Sequence, residues 1–185
     1  MFQSDLDIIE SVRAGDRDQF RLLVERYSRR IFRLAYRLTG NEADADEVVQ
    51  EAFLRAYRRL DRYDGRAAFG TWLFRIATNY ALDMLRARSR HAEPVEDPPQ
   101  PDVEANQERL AIDGEIRKRY NLALGRLTEK ERAAFVLRHV EGLSIPEIGT
   151  TLGMSVNATK QSVFRAVRKL RQALAPFVGV LANGA

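Results

Sequence analysis

The sequence predicts an all-α protein: two small helical domains joined by a flexible acidic linker, the second containing a helix-turn-helix. Three observations carry this. Apolar residues recur at helical spacing almost throughout, and strand-like alternation is scarce. The stretch 91–108, HAEPVEDPPQPDVEANQE, holds four prolines and six acids with no lysine or arginine. Such a segment cannot bury enough apolar surface to offset the entropy of ordering it. Beyond it, two capping boxes open successive helices; the second helix is short, ends at a glycine, and leads into a longer basic helix. The domains expected are therefore 1–90, a linker at 91–108, and 109–185.

The elements follow in chain order. Phe20, Leu23, Tyr27, Ile31, Leu34 and Leu38 fall on one helical stripe, closed by Gly40-Asn41. A second helix carries Val49, Ala52, Phe53, Ala56 and Leu60. The polar, glycine-containing stretch Asp61–Gly70 reads as a loop. A third helix is expected over Thr71–Arg88, with Thr71 as its N-cap. Past the linker, Leu110, Ile116, Tyr120 and Leu124 suggest another helix. Thr128-Glu129-Lys130-Glu131 is a capping box whose helix runs to Gly142. Ser144-Ile145-Pro146-Glu147 is a second, whose helix ends near Leu152-Gly153. Ser155 then caps the last helix. Eleven residues follow Leu174, from which no appended regulatory domain is expected.

Composition narrows the function. There is no cysteine, which removes disulfides and thiolate metal sites. No run of 18 apolar residues occurs and the start lacks a signal pattern, so no membrane insertion and a cytoplasmic location are expected. Net charge is +4, unevenly spread: residues 91–120 hold 8 acids against 4 bases, and the last 35 residues hold 5 bases and no acid. Basic faces attract phosphate backbones through counterion release, although solvated helix faces would look the same. His91 and His139 are isolated, and no phosphate loop or nucleophile elbow is present. No catalytic set, no cofactor and no metal site are expected.

Three surfaces stand out. On the last helix, Thr159, Val163, Ala166 and Leu170 share one face. Asn157, Lys160, Gln161, Phe164, Arg168 and Arg171 lie opposite, with Arg165 at the edge. Lysine, arginine and glutamine can read base edges in a major groove, and a ring can touch a thymine methyl. A solvated basic helix with Phe164 tucked under a neighbour is the alternative. On the third helix, Leu73, Ala77, Tyr80 and Met84 form a core stripe, and Trp72, Arg75, Asn79, Asp83 and Arg86 a second one. A tryptophan aligned with arginines and an amide suits unstacked bases. A core Trp72 beside an Arg75–Asp83 ion pair is the competing reading. Residues 42–51, EADADEVVQE, hold five acids and no base. There Asp46 and Gln50 flank Val49 and Phe53, an acidic rim suited to a basic partner. An ordinary acidic first turn of a helix fits as well.

The runs ADADEVVQEAFLRAYRRLDRYDG, AAFGTWLFRIATNYALDMLRAR and LTEKERAAFVLRHVEGLSIPEIGTTLGMS together resemble the extracytoplasmic-function group of bacterial sigma-70 sigma factors. The resemblance covers about Asp16 to Leu174. It implies a two-domain factor that binds core RNA polymerase and promoter DNA. Asp44–Leu54 looks like the polymerase-binding segment, with Asp46, Val49, Gln50 and Phe53 carrying it. The loop Arg62–Gly70 and the helix Thr71–Arg86 look like the part that melts and reads the minus-ten element; Trp72 and Asn79 match residues usual there, beside Arg75, Asp83 and Arg86. Ser144–Leu170 looks like the minus-thirty-five reader, with Asn157, Lys160, Gln161, Phe164, Arg165 and Arg168 facing DNA. By the same analogy the acidic linker would thread the polymerase's RNA path, and an anti-sigma factor would cover both DNA- and polymerase-binding faces. One departure matters: Lys160, Phe164 and Arg165 match the family's recognition helix, whereas Gln161 and Ser162 replace its usual serine-arginine pair. The promoter sequence therefore does not carry over.

Two other readings remain. A stand-alone helix-turn-helix regulator would explain the second domain but leave the acidic patch and the Trp72 stripe idle. A metal- or phosphate-handling helical enzyme could use the carboxylates of Glu42–Glu51, but lacks histidine partners and a phosphate loop.

Overall fold

The computed structural model describes residues 3–91 and 118–182, with side chains described over 3–90 and 118–175. The described residues are helical, with turns between, and the chain divides into two compact units, Met1–Arg90 and His91–Ala185. The expected linker lies outside the described residues except for residue 91, which still belongs to a helix.

Unit 1 holds α1 (Asp5–Arg13), α2 (Phe20–Thr39), α3 (Glu42–Arg58) and α4 (Phe69–His91). The α2 stripe is buried as its spacing predicts: Leu23, Ile31 and Leu34 are fully covered. Gly40 closes α2 in the left-handed conformation, φ 72°, which a side chain would disfavour. Asn41 then caps α3 by accepting from the Asp44 N–H at 2.9 Å. The two helices form a tight hairpin, and Ile8 and Ile9 of α1 complete the core with Phe69, Leu73 and Phe74 of α4.

Four expectations need correction here. The inner stripe of α3 is Ala45, Val48, Ala52, Phe53 and Ala56, so Val48 and not Val49 is the core valine. Two adjacent valines differ by about 100° around a helix, and the flanking alanines select the first. Leu60, expected to extend α3, lies in a 3-10 turn over Leu60–Arg62. Finally, α4 begins at Phe69, and Thr71 is inside it: the Trp72 N–H already bonds the Ala68 carbonyl at 3.1 Å. Phe69 is buried between Tyr27 and Tyr63, which draws it into the helix. The inner face of α4 runs through Leu73, Phe74, Ala77, Thr78, Ala81 and Leu82, leaving Tyr80 and Met84 half-buried at its margin.

Unit 2 holds α5, described over residues 118–125, then α6 (Glu129–His139), α7 (Ile145–Leu152) and α8 (Val156–Ala182). Both capping boxes form: Thr128 with Glu131, and Ser144 with Glu147. The first helix ends at His139, three residues before Gly142. Gly153 ends α7 with φ 61°, and the Ser155 hydroxyl accepts from the Ala158 N–H at 3.2 Å to start α8. Gly149 sets how close α7 and α8 come. A Cβ there would stand 2.8 Å from the Met154 carbonyl oxygen and 3.2 Å from Thr159 Oγ1. Ala123, Leu124, Leu127, Ala166 and Leu170 form one core cluster, so α8 is held by α5 as well as by α6 and α7.

Candidate functional site

The start of α8 separates cleanly into two faces. Thr159, Ala166 and Leu170 are buried, with Thr159 and Ala166 fully so, and Val163 is half-buried beside them. Asn157, Lys160, Gln161, Arg165, Arg168 and Arg171 are exposed, and Phe164 is 66% exposed. An apolar ring left in water gains little from folding, and the described residues leave most of this one uncovered. Lys169 is set apart from this face: its ammonium bonds the Glu131 carboxylate at 2.7 Å, tying α8 to the start of α6. Burial pushes the Glu131 carboxyl up, but bonds from Lys169 and Thr128 outweigh it and hold the group below its ordinary value. The outward face of α8 therefore carries positive charge with no acid paired to it among the described residues, two amides and one ring.

In unit 1 the loop before α4 is more ordered than its composition suggests. Tyr63 is buried, and its hydroxyl donates to the Ala67 carbonyl at 2.6 Å. Tyr63, Phe69 and Trp72 form an aromatic cluster, with Trp72 centroids 5.2 Å from Tyr63 and 5.7 Å from Phe69. Trp72 is half-buried: one part rests on this cluster and the rest is open. Arg75, Asn79, Asp83 and Arg86 are exposed along the same side of α4. Asp83 pairs with Arg86 at 3.2 Å, not with Arg75.

On α3 the acids divide by role. Asp44 is buried and bonds the Arg88 guanidinium through both oxygens, at 2.6 and 2.7 Å. Those bonds raise the Arg88 pKa further above its ordinary value. Glu47 accepts from the Tyr80 hydroxyl at 2.6 Å, which with burial pushes the phenol up to about 12. Glu51 pairs with Arg55 at 2.9 Å, and Arg55 lies 4.5 Å over the Tyr80 ring. Each of these carboxylates is spent on a partner, and no group of three or more metal-ligating side chains converges among the described residues. Asp46 and Gln50 remain exposed and Val49 is half-buried. The exposure expected of Phe53 is not met: it is 7% exposed, edge-on to Phe20 at 6.4 Å, because the inner stripe of α3 passes through it.

The sigma-70 region 2 family model matches residues 23–91, and the sigma-70 region 4 model matches residues 117–170. Over 95% of this chain and 96% of the relative, it is 34% identical to the RNA polymerase sigma-H factor of Pseudomonas aeruginosa. It is likewise 34% identical to the ECF RNA polymerase sigma-E factor of Escherichia coli, over the same shares of the two chains. The chain belongs to the extracytoplasmic-function sigma factors of the sigma-70 family. Like them it is an RNA polymerase sigma factor that binds core polymerase and directs promoter-specific transcription initiation. Among solved structures, CnrH in complex with the cytosolic domain of CnrY matches with TM-score 0.68 and 27% identity, over 95% of this chain and 99% of that one. The sigma factor RpoE of Bartonella quintana, solved with the anti-sigma factor NepR, shares the fold: TM-score 0.64 and 23% identity, over 86% of this chain and 97% of that one.

In this sigma factor, the region 2 match takes in most of α2, all of α3 and α4, and the loop between them; the region 4 match takes in the described helices up to Leu170. Sequence reasoning missed the partners that hold these surfaces. Arg88 and Tyr80 reach α3 across 44 and 33 residues of sequence, and no local pattern marks such pairs. It also passed over Leu54 and Tyr57, 40% and 37% exposed on α3. Their apolar character next to Gln50 and Phe53 was the available signal.

Proposed function

We propose that this sigma factor acts without catalysis of its own, in the cytoplasm, by presenting three exposed surfaces to polymerase and promoter. The observation that carries the reading is the outward face of α8. A helix held on one side by Thr159, Ala166 and Leu170 presents Asn157, Lys160, Gln161, Phe164, Arg165 and Arg168 to solvent, in unit 2, with Phe164 66% exposed. That set can donate to guanine and adenine edges, touch a thymine methyl, and neutralise phosphate. We assign it to the minus-thirty-five element.

In unit 1 the half-open Trp72 and the exposed Arg75, Asn79, Asp83 and Arg86 take the melted minus-ten strand. The ring offers a stacking platform, Asn79 reads a base edge, and the arginines hold phosphates. Asp46, Val49 and Gln50 contact core polymerase. Phe53, buried beneath them, acts by holding α3 against Phe20. Unit 1 thus serves polymerase and strand opening, unit 2 the upstream element, and the segment at 91–108 connects them.

The same exposed faces suit an anti-sigma partner that covers both and competes with polymerase. CnrH, similar over nearly its whole length, was solved bound to the cytosolic domain of another protein. Among the described residues no helix is long and apolar enough to cross a membrane. Run-off transcription with purified core polymerase on a genomic promoter library tests the reading. Promoter-specific transcripts that depend on this protein are expected, and they return its consensus. DNA binding by the isolated chain with no polymerase-dependent transcript would instead support a stand-alone regulator.

A further inference from the structure

We propose that α1 is a positioning element for promoter opening: Arg13 and Leu6 hold the Leu60–Gly70 segment in the shape that receives the unpaired strand. This rests on the assignment of that segment and the Trp72 side of α4 to the minus-ten element.

α1 is firmly seated. Ser4 and Asp7 form a capping box at its start, and Ile8 and Ile9 are fully buried. From its end, Arg13 Nη2 donates to the Leu60 carbonyl at 2.6 Å and also to the Tyr63 carbonyl. These two oxygens bracket the 3-10 turn that opens the segment, and the Tyr63 N–H donates to the same Leu60 carbonyl at 3.1 Å. A cation clamping two neutral carbonyls fixes the backbone between them and stabilises more than a neutral donor would. From the start of α1, Leu6 reaches the middle of the segment: its Cδ2 lies 3.9 Å from where a Cβ on Gly65 would be. Gly65 has φ +73°, so the backbone there turns in a way that a side chain would resist.

The far end is held through α2. Asp5 pairs with Arg26 and accepts from the Tyr27 hydroxyl at 2.5 Å. The Tyr27 ring meets Phe69 at 5.6 Å and presses on Gly70, where a Cβ would come within 2.8 Å of it. Burial, reinforced by the Asp5 bond, pushes this phenol up to about 12, so the bond persists across the neutral range. Phe69 and Tyr63 in turn carry Trp72. One nine-residue helix therefore bonds the beginning of the segment through Arg13, lies beside its middle through Leu6, and reaches its end through Tyr27.

Leu6 argues that this is more than packing. It is 53% exposed and contributes little to the core, yet it sits against the left-handed glycine of the segment. A loop ordered before it binds loses less entropy when the strand arrives.

The test titrates single-stranded minus-ten DNA carrying 2-aminopurine, taken from a promoter that this protein opens, with holoenzyme. Closed binding to the duplex is read at low temperature, and thermal midpoints are recorded for each variant. Arg13→Met is expected to bind the single strand about tenfold more weakly, the scale of one lost charge-assisted hydrogen bond. Leu6→Ala should shift it in the same direction. Both should keep wild-type closed binding and affinity for core polymerase. Arg13→Lys, which keeps the charge and its donors on a shorter side chain, should fall between. If Arg13→Met lowers the thermal midpoint, Leu6→Ala decides. Wild-type strand affinity in Arg13→Met and Leu6→Ala, while a Trp72→Ala control loses it, overturns the proposal. So does an equal loss of strand and closed binding, which marks a structural role. If Trp72→Ala also binds as wild type, the minus-ten assignment itself fails, and the failure is traced to that reading.

Discussion

Replacing Phe164 by alanine separates a reading surface from a packing surface, because the two roles predict opposite outcomes. With the ring 66% exposed, about a third of its area is removed from water. An aromatic side chain offers about 200 Å², so the buried part is about 70 Å², worth at most about 1.7 kcal/mol at about 25 cal/mol per Å². Alanine keeps some of that, so a loss of about 1 kcal/mol in the stability of unit 2 is expected. Leu170, 4% exposed on the opposite face, should cost about 2–5 kcal/mol as Leu170→Ala. If Phe164 instead reads promoter DNA, its removal should weaken holoenzyme binding to a cognate promoter by about 1–3 kcal/mol, or about 5–150-fold. Urea denaturation gives the first quantity, and fluorescence anisotropy of labelled promoter duplex, at a stated salt concentration, gives the second. The reasoning is refuted if Phe164→Ala destabilises as much as Leu170→Ala, or if it leaves promoter affinity unchanged.

Other surfaces make equally specific demands. Asp46→Arg should lower affinity for core polymerase at moderate salt while changing stability by only about 0.5 kcal/mol, as exposed substitutions do; pull-down with core polymerase reads this. Arg88→Ala strands the buried Asp44 carboxylate and should cost unit 1 about 1–2 kcal/mol in chemical denaturation. That is less than the 3–5 kcal/mol typical of fully buried pairs, since the arginine is more than half exposed to screening solvent (58%). Asp44→Asn in the Arg88→Ala background should recover part of the loss. Glu131 and Glu147 are both held below the ordinary 4.5 in the folded chain. The unfolded chain therefore binds protons first as pH falls. Their contribution is complete above about pH 4.5 and is lost as pH falls through the lowered folded values. Circular-dichroism melts from pH 6 to pH 3 should show it, with a shallower acid slope in Glu131→Gln.

Much of this architecture was legible because helices announce their ends. Thr128-Glu131 and Ser144-Glu147 satisfy their own first-turn donors with local side chains, and Gly40 and Gly153 supply the left-handed residue that stops a helix. The α8 faces followed from the 100° step alone. What stayed hidden was set by distant neighbours. Gly70 resembles a loop residue, yet it sits inside α4, where it leaves room for the Tyr27 ring. Asp44 and Asp46 are two acids in one acidic run, and only the arrival of Arg88 makes the first internal and leaves the second outside. Phe53 and Leu54 are adjacent large apolar residues, and packing against Phe20 decides which one is buried.

This division has a consequence for how promoter preference can change. α4 is fixed on two sides, by Phe74 beneath Arg30 of α2 and by Tyr80 bonded to Glu47 of α3. Its Trp72–Arg86 side is left with little packing to satisfy beyond the Tyr63–Phe69 cluster. α8 is fixed by Thr159, Ala166 and Leu170 and by the Lys169–Glu131 pair. The departure from the family's usual recognition helix falls at Gln161, which is exposed, and Ser162, which is half-buried. At Gln161 no packing is lost when the family's serine is exchanged for an amide, so the fold does not resist the change. A glutamine amide pairs bidentately with adenine, where a serine hydroxyl bonds either kind of base edge. Base preference opposite that position should therefore narrow toward adenine. Gln161→Ser should relax it while unit 2 melts at the same temperature. An unaltered preference in a promoter-library selection would place Gln161 away from the base edges.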